Sequence, residues 1–248
     1  MKFALIVPAL DEEASVAGVV RGFFTVAAAA PFAARAGAIL DEIVVCDNGS
    51  RDRTAEVARA AGATVVPAPR RGYGSACLAG LVHLATRAQG LPDAVAFADG
   101  DGSDDPSELA SIVAPIARGE ADLVIGSRTL GAVERGAMSV PQRFGNGLAS
   151  FLLRTLYGAK VTDLGPYRAV RWSALERMAL HDPDYGWTVE MQAKAARLGL
   201  PMREVPVTCR ARAAGRSKVS GTVRGVIGAG TKILGTIARE ALRPRTNV

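Results

Sequence analysis

The chain has 248 residues, of which 49% are hydrophobic and 22% charged, and its formal net charge is +6. That length suits one large α/β domain, and that composition excludes global disorder. The three cysteines, Cys46, Cys77 and Cys209, lack metal-ligand spacing and suit a reducing compartment without disulfides. The start, Met1–Pro8, is too short for a signal-peptide core and runs into Asp11-Glu12-Glu13, so it reads as a buried strand of a cytoplasmic protein. No stretch approaches the roughly 20 apolar residues of a spanning helix.

In chain order, short apolar runs alternate with helical spacing. Strands are expected at Lys2–Ala9, Glu42–Cys46, Thr64–Pro67, Ala94–Ala98 and Asp122–Gly126. Helices are expected at Glu13–Ala30, Arg53–Ala61, Gly74–Ala88 and Ser107–Arg118, with Asp52 and Pro106 as start signals. Such alternation implies a mainly parallel sheet covered on both faces, with ligands bound beyond the carboxyl ends of the strands. The second half is less regular. Helical patterns cover Pro141–Gly158 and Trp187–Leu198, and a strand is expected at Arg203–Thr208. A basic amphipathic stretch follows Lys218, so the chain divides into a catalytic domain over 1–218 and a C-terminal segment over 219–248. From Arg203 onward ten Lys/Arg face two Asp/Glu, a net of +8 that leaves about −2 for the remainder. A basic end suits an anionic partner such as a phosphate or a lipid surface. Nucleic acid is not expected, because no aromatic residues interleave with the terminal Arg/Lys for base stacking.

The residues with chemistry stand at strand ends. Asp99 and Asp101 flank Gly100 directly after the run ending at Ala98, so a turn can aim both carboxylates into one cleft. Two carboxylates and diphosphate oxygens make an oxygen-ligand site for Mg²⁺ or Mn²⁺. The competing reading is an acidic turn in which Asp104 or Asp105 caps the helix beginning near Pro106. Pro8-Ala9-Leu10-Asp11-Glu12 ends the first strand and Asp47 ends the second, where a carboxylate can bind a nucleobase or ribose. Three acidic strand ends on one sheet edge are more than capping requires.

Together these segments resemble the family 2 glycosyltransferases, especially the branch of dolichol- and polyprenol-phosphate sugar synthases. The likeness runs from Lys2 to about Thr222. After the Pro8–Glu12 element come Asp47 to Thr54, the glycine-rich Gly72-Tyr73-Gly74-Ser75-Ala76, and the Asp99/Asp101 pair. Gly126-Ser127-Arg128, Gly165-Pro166-Tyr167-Arg168, Trp187-Thr188-Val189-Glu190 and Arg212 through Lys218 complete the series in the family's order. The resemblance implies a GT-A-like fold and an inverting transfer of a sugar from a UDP- or GDP-linked donor. It places Pro8, Ala9, Leu10, Glu12 and Asp47 around the nucleotide, and Asp99, Gly100 and Asp101 at the ribose, diphosphate and metal. Arg212 and Lys218 would neutralise phosphate charge, and Arg128 and Arg143 would hold the phosphate of a polyprenyl acceptor. Two positions depart from the family pattern: Asp11 stands where Asn is usual, and Ser103 replaces a Gln near the metal.

A phosphate acceptor is already anionic and needs no general base, whereas a sugar hydroxyl does; Asp163 and Glu190 are the candidates for that base. The apolar side of Pro141–Gly158 and the basic stretch after Lys218 point to peripheral attachment on the inner face of the cell membrane, with packing on the core or a homo-oligomer as the competing reading. Rival functions are the same fold with a soluble phosphorylated or saccharide acceptor, and a nucleotidyltransferase. The latter's glycine-rich basic loop after the first strand is missing.

Overall fold

The computed structural model describes residues 1–214 and 223–242. Its elements in order are β1 (Lys2–Ala9), α1 (Val16–Ala28), α2 (Ala30–Ala36), β2 (Ile39–Asp47), α3 (Thr54–Ala60), β3 (Thr64–Pro67), α4 (Tyr73–Thr86) and β4 (Ala94–Phe97). Then follow α5 (Leu109–Ala117), β5 (Leu123–Val133), α6 (Val140–Tyr157), β6 (Arg168–Arg171), α7 (Trp172–Met178), α8 (Trp187–Arg197), β7 (Met202–Cys209) and α9 (Val223–Leu242). The seven strands form one sheet in the order β3-β2-β1-β4-β6-β5-β7. All pairings are parallel except those of β6, which runs antiparallel to both β4 and β5.

Strand β1 shows why the sheet is two-sided. Phe3, Leu5 and Val7 enter one core with Val20 and Phe23 of α1 and Ile112 of α5. Ala4 and Ile6 enter the other, with Leu84 of α4, Leu153 of α6 and Trp187 of α8. Alternate side chains point to opposite faces, so a strand buried on both reads as an unbroken apolar run. The sheet's register aligns Ala9 with Asp47 and Ile6 with Phe97, which brings the carboxyl ends of β1, β2 and β4 side by side. The chain leaves β1 toward β2 on one side and reaches β4 on the other, the crevice geometry in which such sheets bind ligands.

Three departures from expectation have local causes. The single helix expected over Glu13–Ala30 breaks into α1 and α2 at Ala29, whose ψ of 135° is extended. Pro31 lies in the first turn of α2, and a proline ring cannot continue the preceding helix. Strand β5 runs on to Val133 after an irregularity between Ser127 and Ala132. Strand β6 and helix α7 were not expected, because four residues bounded by Arg168 and Arg171 give no clean alternation.

Helix α9 packs against α6 and α8, with Thr236, Ile237 and Glu240 buried. Glu240 pairs with Arg197 at 3.0 Å, and the Tyr157 hydroxyl donates to the Ile237 carbonyl. Asp182 accepts from Thr236 Oγ1 at 2.9 Å and from Arg239 at 3.2 Å, and Lys232 pairs with Asp184. Two cations of the basic stretch are thus committed to partners inside the domain. Among the described residues no single helix is long and apolar enough to cross a membrane. Because Ile237 is buried against the second core, Ile237→Ala is expected to lower stability by about 2–4 kcal/mol in urea unfolding. A loss under about 0.5 kcal/mol, as for an exposed surface position, would contradict the docked helix.

Candidate active site

The acidic turn after β4 is prebuilt by its own hydrogen bonds. The Asp99 N–H donates to Asp104 Oδ2 at 2.8 Å, and the Ser103 N–H donates to Asp101 Oδ1 at 2.9 Å. Gly100 lies so close to β1 that a Cβ there would stand 3.1 Å from the Pro8 carbonyl and 3.3 Å from Ala9 Cβ. Gly102 has φ of +80°, a left-handed conformation that glycine adopts without penalty. Ser15 Oγ lies 2.9 Å from the Gly100 carbonyl oxygen, tying the approach to α1 onto the turn. Asp105, not Asp104, caps the short 3₁₀ turn at Pro106–Glu108 by accepting from the Ser107 N–H at 2.9 Å.

The ends of β1 and β2 interlock beside this turn. Asp11 donates its N–H to Ser50 Oγ at 3.0 Å and accepts the Arg51 N–H at 2.7 Å, while Glu12 donates its N–H to Thr54 Oγ1 at 2.8 Å. Asp11 has φ of +50°, a region that Asp and Asn tolerate better than other side chains. The departure from Asn therefore preserves the backbone conformation. Asp47 accepts the Ser50 N–H at 3.0 Å. Pro8, Ala9, Leu10, Glu12, Asp47, Asp99 and Gly100 thus share one edge. Buried Asn48, which the sequence reading passed over, clasps the next loop: its amide donates to the Ala68 and Arg70 carbonyls at 2.8 and 2.7 Å, and its oxygen accepts the Gly72 N–H at 2.9 Å.

The segment after β7 crosses over the acidic turn as a strap. The Arg210 N–H donates to the Ser103 carbonyl at 2.9 Å and the Ala213 N–H to the Asp101 carbonyl at 3.0 Å. Arg210 pairs with Asp105. Arg212 reaches Asp101 Oδ2 through Nη1 and Glu12 Oε1 through Nη2, both at 2.5 Å. Lys218 lies outside the described residues.

Charge crowding perturbs the acids. Burial, then repulsion from Asp101, pushes the Asp99 carboxyl up to about 7, against the lowering influence of Arg128, a Tyr73 hydrogen bond and Arg212. Burial and the neighbouring Asp99 push Asp104 well up. Oxygen donors buried side by side, one of them holding its proton near neutrality, fit a divalent cation, which would stabilise their charged forms. Asp99 and Asp101 therefore suit Mg²⁺ or Mn²⁺. A second cluster, His181, Glu190 and Glu240, also brings ligand atoms close together. There the Lys194 ammonium already supplies a cation 2.8 Å from Glu190.

The two general-base candidates both lie inside the protein. Asp163 is fully buried and accepts the Arg128 N–H at 2.7 Å, its Nε at 2.9 Å and its Nη2 at 2.6 Å. Burial pushes this carboxyl up, but the hydrogen bonds and charge of Arg128 outweigh it and hold the group below the usual range. Glu190 is also fully buried; it accepts the Asp182 N–H at 2.7 Å and lies 2.7 Å from His181 Nδ1. Both carboxylates are committed to holding neighbours, so neither is presented to an acceptor. Asp163 instead orients Arg128, which stands within electrostatic reach of Asp99. Arg143 is exposed in the early part of α6, a helix joined to the turn at 162–164 by Asn146, whose oxygen accepts the Leu164 N–H at 2.8 Å. Arg168, beside Phe97 in the sheet, is wholly buried and donates to the Leu164, Gly165 and Thr188 carbonyls. Burial lowers it to about 10, so it remains charged at neutral pH.

A mixed, mainly parallel sheet with acidic residues at the carboxyl ends of its strands is a GT-A-like fold, the architecture of transferases that use nucleoside-diphosphate sugars. The profile of glycosyl transferase family 2 matches residues 5–181, and the chain belongs to that family. An uncharacterised glycosyltransferase of Mycobacterium tuberculosis is 37% identical over 225 residues, covering 90% of this chain and 92% of the relative. Undecaprenyl-phosphate mannosyltransferase of Micrococcus luteus is 32% identical over 215 residues, covering 82% and 86%. Crystal structures of glucosyl-3-phosphoglycerate synthase from Mycobacterium tuberculosis, one with Mg²⁺ and UDP and one with phosphoglyceric acid, match with TM-scores of 0.73 and 0.74. Both are 25% identical and cover all of this chain and 82% of theirs.

Asp163→Asn is expected to cost about 3–5 kcal/mol in denaturant unfolding, because Arg128 loses its partner in a largely buried place. Full stability with turnover lost would restore the general-base role. The raised Asp99 carboxyl sets a pH dependence for the wild type. Below about 7 it binds a proton that a metal must displace. Mn²⁺ affinity should therefore climb up to about tenfold per pH unit toward 7 and level off above it. An affinity constant from pH 6 to 8 would contradict this.

Proposed function

We propose that the enzyme transfers a hexosyl group from a UDP-linked donor to a small phosphorylated acceptor, with inversion at the anomeric carbon. The observation that carries this reading is the meeting of the Asp99/Asp101 pair, Arg212 and the Asp163-oriented Arg128 at one sheet edge. The related structures that hold UDP with Mg²⁺, and phosphoglyceric acid, support the same choice of donor and acceptor class.

Pro8 to Glu12 and Asp47 would line the nucleotide. Asp99 and Asp101 would hold Mg²⁺ or Mn²⁺, which supplies charge neutralisation at the leaving diphosphate. As the bond from the anomeric carbon to the diphosphate oxygen stretches, negative charge grows on the leaving group. Arg212 would stabilise that charge from the strap, assisted by Lys218 as the family resemblance implies. An acceptor oxygen attacking the opposite face of the sugar gives inversion. Arg128, held in one orientation by Asp163, would anchor the acceptor's phosphate with Arg143 nearby in α6. A bidentate guanidinium–carboxylate pair fixes the geometry without cancelling the remaining donor capacity of the fork.

A second reading, transfer to a polyprenyl phosphate on an anionic membrane, is favoured by one feature. Helix α6 exposes Val140, Phe144, Phe151 and Leu156, and it carries arginines without a single acid. The Micrococcus luteus relative, by its name, acts on undecaprenyl phosphate. Both acceptors offer the phosphate that Arg128 would bind, and partitioning of labelled product separates them. With radiolabelled UDP-hexoses and Mn²⁺, the enzyme is given phosphoglyceric acid and other small phosphorylated acids in water. In parallel it is given undecaprenyl phosphate in anionic liposomes. We expect water-phase product to form at least tenfold faster. Label recovered mainly in the lipid extract would overturn the small-acceptor reading in favour of the membrane one.

A further inference from the structure

Arg212 occupies the coordination space of the carboxylate on which the cation site depends. Asp101 Oδ1 accepts the Ser103 N–H at 2.9 Å, and Asp101 Oδ2 accepts Arg212 Nη1 at 2.5 Å. Both oxygens are engaged, and Asp101 is only 8% exposed. Nη2 of the same guanidinium lies 2.5 Å from Glu12 Oε1, so one cation bridges the end of β1 to the turn after β4. Its third nitrogen, Nε, is buried with no hydrogen-bond partner among the described residues. The fork is therefore shared between two separate acids, a looser arrangement than a bidentate grip on one carboxylate. Main-chain bonds from Ala213 to Asp101 and from Arg210 to Ser103 deliver this cation to its place.

A divalent ion bound through Asp101 Oδ2 meets a second cation, Nη1, on the same oxygen, and their repulsion drives the guanidinium off. The released guanidinium, three-quarters buried, then lacks half of its charge compensation. Leaving a largely buried charge without its partner is strongly unfavourable. A diphosphate arriving beside the metal removes that penalty, because its oxygens accept the same donors. We infer that Arg212 is an exchangeable counter-cation. It holds Asp101 and Glu12 together until metal and donor diphosphate bind, then passes from Asp101 to the diphosphate, making metal binding conditional on nucleotide. The inference rests on the donor and metal reading above and adds an order to it: the metal alone competes with Arg212, whereas metal and diphosphate together do not.

The test is Mn²⁺ binding to the full chain, read by the electron paramagnetic resonance signal of free Mn²⁺, with and without UDP. Values are corrected for the Mn²⁺ that UDP binds in solution. In the wild type UDP should tighten Mn²⁺ binding at least tenfold. Arg212→Gln should bind Mn²⁺ without UDP at least tenfold more tightly than the wild type, and its enhancement by UDP should shrink to about twofold or less. Arg212→Lys, which keeps a charge but not the fork, should fall between the two. Urea unfolding of each variant verifies the fold, and the lysine variant supplies the comparison should the glutamine variant fail to fold. If both variants bind Mn²⁺ alone no more tightly than the wild type, while Asp101→Asn loses Mn²⁺ binding, the exchange is overturned and the metal site stands. If Asp101→Asn binds Mn²⁺ as the wild type does, the metal reading falls and the exchange with it.

Discussion

Negative charge crowded onto one sheet edge is the constraint around which this structure is organised. Parallel pairing of β1 with β2 and β4 brings Asp11, Glu12, Asp47, Asp99 and Asp101 to neighbouring strand ends. Asp99 displays the cost: burial first, and the neighbouring Asp101 second, push its carboxyl up to about 7. Two arginines from later in the chain limit it. Arg212 arrives on the strap after β7, and Arg128 projects from β5 under the control of Asp163. Among the described residues the five acids named here outnumber these two arginines, and such an excess of negative charge attracts cations. The same field favours a divalent ion and, through that ion and the arginines, a diphosphate.

The region around Arg128 follows a different logic, in which burial fixes orientation. Asp163 and Glu190 are both fully buried, and each spends its oxygens on neighbours. Asp163 secures the guanidinium of Arg128, and Glu190 secures the start of the loop at 181–184, whose Asp182 to Asp184 backbone rests on Gly72 and Gly74. A Cβ at Gly74 would run into the Asp182 and Pro183 backbone, so glycine there permits the close contact. Through Asp182 and Asp184 that loop also grips α9. The C-terminal helix, the loop and the start of α4 therefore form one packed layer behind the acidic turn.

The legible part of this chain was the part built by short-range rules. Strands β1 and β3 fall where the apolar runs put them, and Asp99 and Asp101 stand in a turn because Gly100 and Gly102 allow it. What escaped depended on tertiary partners. Strand β6 is four residues long and carries Arg168, whose burial is tolerable only because the Leu164, Gly165 and Thr188 carbonyls receive it. Asn48 reads as a turn residue, and only its three hydrogen bonds across 20 to 24 residues reveal the clasp. The acids at 163 and 190 look catalytic in one dimension, since sequence spacing cannot tell a presented carboxylate from a buried one. The packing of the basic C-terminal stretch was hidden in the same way: Lys232 and Arg239 have acids waiting for them in a loop some 50 residues earlier.

The central claim is that the acidic turn after β4 is the cation and diphosphate site. Anomalous diffraction from crystals grown with Mn²⁺ and UDP tests it most directly. The account predicts one strong manganese peak about 2.1 Å from a carboxylate oxygen of Asp101, with the UDP diphosphate on its far side and Arg212 turned toward that diphosphate. A manganese peak at His181, Glu190 and Glu240 instead, or UDP bound away from Asp47 and Asp101, would contradict it.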